Sequence, residues 1–132
     1  MTFAAKFEFL DEIRDFVGGI ARSHGFGDKE VYNIQLATDE AASNIIEHAY
    51  GGVDNGQIDI SCDFLGGKII VILRDLGISF DPSAIPMPDL KADLSERQIG
   101  GLGIFLMRKL MDEVHYESKP TGNYLTMTKR KG

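Results

Sequence analysis

The run Asn33-Ile-Gln-Leu-Ala-Thr-Asp-Glu-Ala-Ala-Ser-Asn-Ile-Ile-Glu-His-Ala-Tyr50 sets three polar side chains, Glu40, Asn44 and His48, four residues apart in a mostly apolar or small segment. A helix turns about 100° per residue, so an i, i+4, i+8 set falls along one side of it. A carboxylate, a carboxamide and an imidazole then stand in a row on a helix whose other positions, Val31, Ile34, Ala41, Ile45 and Ala49, form a buried stripe. The row reads either as the solvated edge of an amphipathic helix or as one wall of a site. Small residues at Ala41, Ala42 and Ser43 suit close approach of a ligand, and suit ordinary helix packing equally well.

Working outward, Asp28 is a good N-cap for this helix, which should run to Tyr50 and stop at Gly51-Gly52. Upstream, Leu10, Ile13, Val17, Ile20 and Ala21 recur at helical spacing over residues 8–24, until Gly25-Phe-Gly27 breaks the pattern. Residues 2–7 alternate weakly, as an edge strand would. Downstream, Ile58, Ile60, Cys62 and Phe64 alternate with period two, Leu65-Gly-Gly67 is a turn, and residues 68–74 read as a fully buried strand; the two strands form a hairpin. A helix is expected over residues 102–111, then strands over 114–118 and 124–129 joined around Lys119-Pro-Thr-Gly122. These elements make one α+β domain over residues 1–132, a two-layer α/β sandwich with a mixed, mostly antiparallel sheet and helices on one face.

Residues 76–100 break the pattern. They hold Pro82, Pro86 and Pro88, all but one of the prolines, and have no periodicity. A stretch that long inside a compact domain is either a floppy insertion or a lid, and its position between Asp75-Leu-Gly77 and Gly100-Gly-Leu-Gly103 favours a lid.

Those two glycine motifs carry the rest of the chemistry. Asp75 ends an apolar strand, where its carboxylate can accept from an exocyclic amine such as adenine N6, and Gly77 lets the backbone approach a flat ring; Asp-x-Gly is also a common plain turn. Gly100-Gly-Leu-Gly103 opens a helix, and exposed amides together with the helix dipole favour a phosphate there. Asn44 offers a neutral carbonyl oxygen, suited to Mg²⁺ beside a triphosphate, since Mg²⁺ keeps several waters and takes few protein ligands. Glu40, one turn back, could deprotonate an attacking hydroxyl or water. His48 reads as a packed or capping histidine outside the catalytic set. Arg97 either reaches a γ-phosphate or is a solvated residue paired with Glu96.

Composition narrows the alternatives. A net charge of -6 argues against non-specific nucleic-acid binding and against docking on anionic membranes. The single cysteine, Cys62, cannot form an intrachain disulfide and fits a reducing compartment. With no apolar run of membrane-spanning length and no basic-then-apolar leader pattern, the expected location is the cytoplasm.

The three motifs together resemble the GHKL ATP-binding family, most closely its stand-alone anti-sigma factor serine kinases. Glu40 and Asn44 match Glu-x-x-x-Asn, with His48 frequent in the anti-sigma branch. Asp75 and Gly77 match Asp-x-Gly-x-Gly, and Gly101 and Gly103 match the glycine pair before a helix. The resemblance covers nearly the whole chain. It implies that Asn44 holds Mg²⁺, Asp75 binds the adenine of ATP, the backbone of Gly101, Leu102 and Gly103 cradles the phosphates, and Glu40 activates a protein serine hydroxyl. It further implies a STAS-domain anti-anti-sigma factor as substrate, a sigma factor as sequestered partner, and a homodimer through the sheet. Two positions depart from the pattern: Ser79 stands where a second glycine is expected, and Gly122-Asn123 where the family often has Gly-Thr with the threonine near adenine. Asn123 is carried over as an adenine-site residue. The departures keep open a nucleotide-responsive binding module without catalysis. A detached sensor histidine kinase domain fits less well, because no dimerisation hairpin precedes residue 28.

Overall fold

The computed structural model describes residues 1–49, 56–77 and 99–131, with the side chains at 48–49 and 99–104 outside the description. Helix α1 (Leu10–Ser23) follows a short strand β1 (Thr2–Ala4) and a 3₁₀ turn, and α2 spans Asp28–Asn44. A hairpin of β2 (Gln57–Leu65) and β3 (Lys68–Asp75) comes next, then α3 (Ile99–Leu110) and a second hairpin of β4 (Glu113–Lys119) and β5 (Gly122–Arg130). The five strands lie in the order β1-β2-β3-β5-β4, and every pairing among the described residues is antiparallel. Helix α2 packs between α1 and α3 and over β3 and β5.

Apolar periodicity explains the two layers. Ile13, Val17 and Ala21 of α1 and Val31, Ile34, Ala37 and Ala41 of α2 are buried. They meet Ile58 and Ile60 of β2, Ile69, Val71 and Leu73 of β3, and Leu125 and Met127 of β5 in one cluster. Fully buried side chains of this size each contribute about 1.5–3 kcal/mol relative to exposure.

Several expectations are refined. Strand β3 is half-buried, not fully buried: Ile69, Val71 and Leu73 face the helices, while Ile70 and Ile72 are only partly covered. An Ile-Val run looks the same in both settings, but here, among the described residues, one sheet face alone carries helices. Asp28 is the first residue of α2 and Gly27 is the cap; the Asp28 carboxylate instead accepts from Arg22 Nη1 at 2.6 Å. An acidic residue in the first turn still favours the helix dipole.

The expected single helix to Tyr50 changes its winding before its end. Ile45–Ala49 form a π turn, whose i→i+5 pattern breaks the regular i→i+4 winding of the backbone. Glu40 and Asn44 therefore keep their one-turn spacing, while the step to His48 is no longer a regular turn. Helix α3 starts at Ile99, three residues before expectation, and so includes all the glycines of its motif. The helix stop at Tyr50 and Gly51-Gly52, most of the lid over 76–100, Ser79, Arg97 and the His48 and Ala49 side chains lie outside the described residues.

Candidate functional site

Asp75 is the last residue of β3 and is only 3% exposed. Its Oδ1 accepts from Gly77 N–H at 2.9 Å and from Asn123 Nδ2 at 2.9 Å. The same Asn123 nitrogen donates to the Gly77 carbonyl at 3.0 Å, and Asn123 Oδ1 accepts from Ser118 Oγ at 2.9 Å. Strand register accounts for the meeting: Asp75 pairs with Asn123 across β3 and β5, and Ser118 with Asn123 across β5 and β4. Burial pushes the Asp75 carboxyl above its ordinary pKa, opposed by the Asn123 and Gly77 hydrogen bonds and by the Arg74 charge.

Gly122 lets this contact form. Its φ of +138 is closed to ordinary side chains, and a Cβ there would stand 2.9 Å from the Asp75 carbonyl oxygen. Arg74 fixes the same turn from the other side, donating from Nε and Nη2 to Thr121 O at 2.9 and 2.6 Å and from Nη1 to Asp59 at 2.7 Å. Gly122→Ala should therefore cost about 1–3 kcal/mol in stability through backbone strain and displacement of Asp75. A urea unfolding curve checks this, with the midpoint lowered and the slope unchanged.

Glu40 and Asn44 share one side of the last turn of α2. Asn44 is 3% exposed, and its Nδ2 makes no hydrogen bond among the described residues. Thr38, equally buried on the same helix, donates to the Ile34 carbonyl at 2.7 Å. A buried amide without a partner is uncommon in folded proteins, and a bound ligand or ion is one kind of group that can meet it. The two ends of a carboxamide exchange by a half-turn of the side chain, so the open position can serve a donor or a cation. No cluster of three or more His, Cys, Asp or Glu capable of holding a metal occurs among the described residues. A lone carboxamide oxygen fits Mg²⁺ that is held mainly by phosphates and water.

Glu40 is half-buried. Burial, then Asp39, then Glu47 raise its pKa, making it a stronger base than an exposed glutamate. Asp39 is likewise raised, first by burial, with Arg14 opposing; its Oδ1 is the other buried polar atom without a partner among the described residues.

Of the expected site residues, Asp75, Gly77 and Asn123 are joined directly by hydrogen bonds. Glu40 and Asn44 sit on α2, which contacts both β3 and β5, and α3 packs against α2. The backbone of Gly100 and Gly101 lies in the first turn of α3, where N–H groups have no partner within the helix; Leu102 and Gly103 follow. Ser118 was not anticipated, although the hairpin register around Pro120-Thr121 places it opposite Asn123.

Comparison with known proteins shows the family and the fold. Residues 3–129 match the model of the histidine kinase-like ATPase domain family. A serine-protein kinase RsbW of Halalkalibacterium halodurans is 34% identical over 140 aligned positions, which cover 98% of this chain and 80% of that protein. A serine-protein kinase RsbW of Listeria monocytogenes is 34% identical over 118 positions, covering 86% and 75%. Among solved structures, the catalytic domain of histidine kinase ThkA aligns with a TM-score of 0.60 at 16% identity, over 99% of this chain and 95% of that one. The histidine kinase domain of the Erythrobacter litoralis EL346 blue-light activated kinase gives 0.57 at 16% identity, over 98% and 62%. The fold is thus that of histidine kinase ATPase domains, and the chain belongs to the histidine kinase-like ATPase domain family, in its RsbW-like group.

Proposed function

We propose that this chain is an ATP-dependent protein serine kinase that also acts as an anti-sigma factor. The observation that carries the reading is the pair on one turn of α2: Glu40, made more basic by its surroundings, and Asn44, buried with an amide that has no partner among the described residues. Asn44 would hold Mg²⁺, which when bound neutralises phosphate charge. Asp75 accepts from the adenine amine, with Gly77 against the ring. The N-terminal backbone of α3, from Gly101 with Leu102 and Gly103 behind it, receives the phosphates, and Arg97 adds positive charge at the terminal one. Glu40 takes the proton from a serine hydroxyl as its oxygen bonds the γ-phosphorus and the bond to ADP breaks.

The RsbW relatives support a serine as acceptor, and a STAS-domain anti-anti-sigma factor as the protein carrying it. A sigma factor is the second partner, and the setting is the cytoplasm. The half-buried Ile70 and Ile72 on the helix-free sheet face support a homodimer through that face. No nucleic acid and no membrane take part; the net charge of -6 supports this. Incubating the protein with Mg·ATP and a STAS protein, then mapping phosphoserine by mass spectrometry, tests the reading. Stoichiometric phosphoserine supports it. Tight ATP binding without transfer would replace it with a non-catalytic nucleotide-responsive regulator.

A further inference from the structure

We propose that Asn123 is a positioning residue that sets base selectivity: it orients Asp75 and Gly77 toward a 6-amino purine and does not itself bind the base. The assignment rests on Asp75 as the base-binding carboxylate.

The hydrogen-bonding capacity of Asn123 is spent inside the protein. Both protons of Nδ2 are used, one on Asp75 Oδ1 and one on the Gly77 carbonyl, and Oδ1 accepts from Ser118. The amide orientation follows from its neighbours, because an ionised carboxylate and a carbonyl can only accept. At 5% exposure, Asn123 has little surface left for a ligand. What it accomplishes is local. Two acceptors, the Asp75 carboxylate and the Gly77 carbonyl, are held side by side where they would otherwise repel. Both bonds that Asp75 makes among the described residues fall on Oδ1. Asp75 Oδ2 is then the oxygen that meets the ring amine, in a fixed direction.

A threonine at this position has one hydroxyl proton and could hold only one of the two acceptors. An alanine could hold neither. A ring carrying a 6-keto group would set its oxygen against the ionised carboxylate, so a rigid Asp75 rejects it and a loosened one turns away. Rigidity at Asp75 therefore becomes discrimination between amino and keto purines.

The test is calorimetric titration of Mg·ATP and Mg·ITP into the wild type and into Asn123→Ala, Asn123→Thr, Asn123→Asp and Asp75→Asn. The wild type is expected to prefer ATP. Asn123→Ala should bind ATP about tenfold more weakly with ITP affinity little changed, so the preference collapses. Asn123→Thr should fall between them. In Asn123→Asp a second carboxyl faces Asp75 and the Gly77 carbonyl, with Arg74 the nearby cation. A shared proton restores the donor at low pH, so the ratio of its ATP affinity to that of the wild type should fall as pH rises over roughly pH 5 to 8. If Asn123→Ala does not fold, the Thr and Asp variants carry the same comparison. Wild-type affinity and ATP preference in the Asn123 variants, with the pH dependence of Asn123→Asp the same as that of the wild type, overturn the role of Asn123. Undiminished ATP binding by Asp75→Asn instead overturns the reading of Asp75, and the Asn123 inference with it. Loss in Asp75→Asn but not in the Asn123 variants removes only the inference.

Discussion

Glu40→Gln should slow phosphoryl transfer to a serine acceptor by about 10²–10⁴-fold while leaving Mg·ATP affinity close to that of the wild type. Gln keeps the length and shape of the side chain but cannot take a proton. The loss should therefore fall on kcat, because the proton moves only as the hydroxyl attacks. Single-turnover transfer assays beside calorimetric ATP titrations separate the two quantities. Unchanged transfer would remove Glu40 from the chemistry.

The same residue fixes the sign of two pH effects. Glu40 must be ionised to act as base, and burial with Asp39 and Glu47 raises its pKa. The acid limb of the rate profile should lie at higher pH than an exposed glutamate would give, and Glu40→Gln should erase that limb from the residual rate. For stability, a carboxyl with a raised folded-state pKa contributes below its unfolded-state value, and that contribution is lost as pH rises through the folded-state value. Ionised Glu40 thus weakens the fold at neutral pH. Glu40→Gln should unfold at the same or a higher temperature at pH 7, and this advantage should vanish in acid. An inactive but more stable variant is what a base held against its electrostatic preference predicts.

Much of the architecture could be read from periodicity. Ile13, Val17 and Ala21, and Ile58 and Ile60, face the core because helical and strand spacing leave no other face for them. Ile70 and Ile72 were misplaced because a β-branched run does not say whether helices cover one sheet face or two. The π turn after Asn44 also escaped notice, since the winding of Ile45–Ala49 has no residue signature of its own. At the site, residue types singled out Glu40, Asn44 and Asp75 as polar groups in apolar elements, and the structure buries Asn44 and Asp75 and half-buries Glu40. Asn123 was legible only as a departure from a pattern. That its amide is consumed by Ser118, Asp75 and Gly77 depends on three strands coming into register, which no local stretch encodes.

Asn44→Ala distinguishes a side chain retained for binding from one retained for folding. Truncating a buried, fully bonded asparagine ordinarily strands its partners and costs about 1–3 kcal/mol. Asn44 Nδ2 has no such bond to lose among the described residues, so its removal also removes a buried polar atom that they leave unsatisfied. The thermal midpoint of Asn44→Ala should therefore stay near that of the wild type or rise. Binding should move the other way. If this carboxamide holds the cation, Mg-dependent ATP affinity should fall by well over about tenfold, since losing even an outer partner of a metal ligand costs about 10–100-fold. ATP titrations with and without Mg²⁺ should then converge in the variant. A stable Asn44→Ala protein that still gains affinity from Mg²⁺ as the wild type does would place the cation elsewhere. A fold that collapses on this substitution would make Asn44 a structural residue, and its unpartnered amide would then need another explanation.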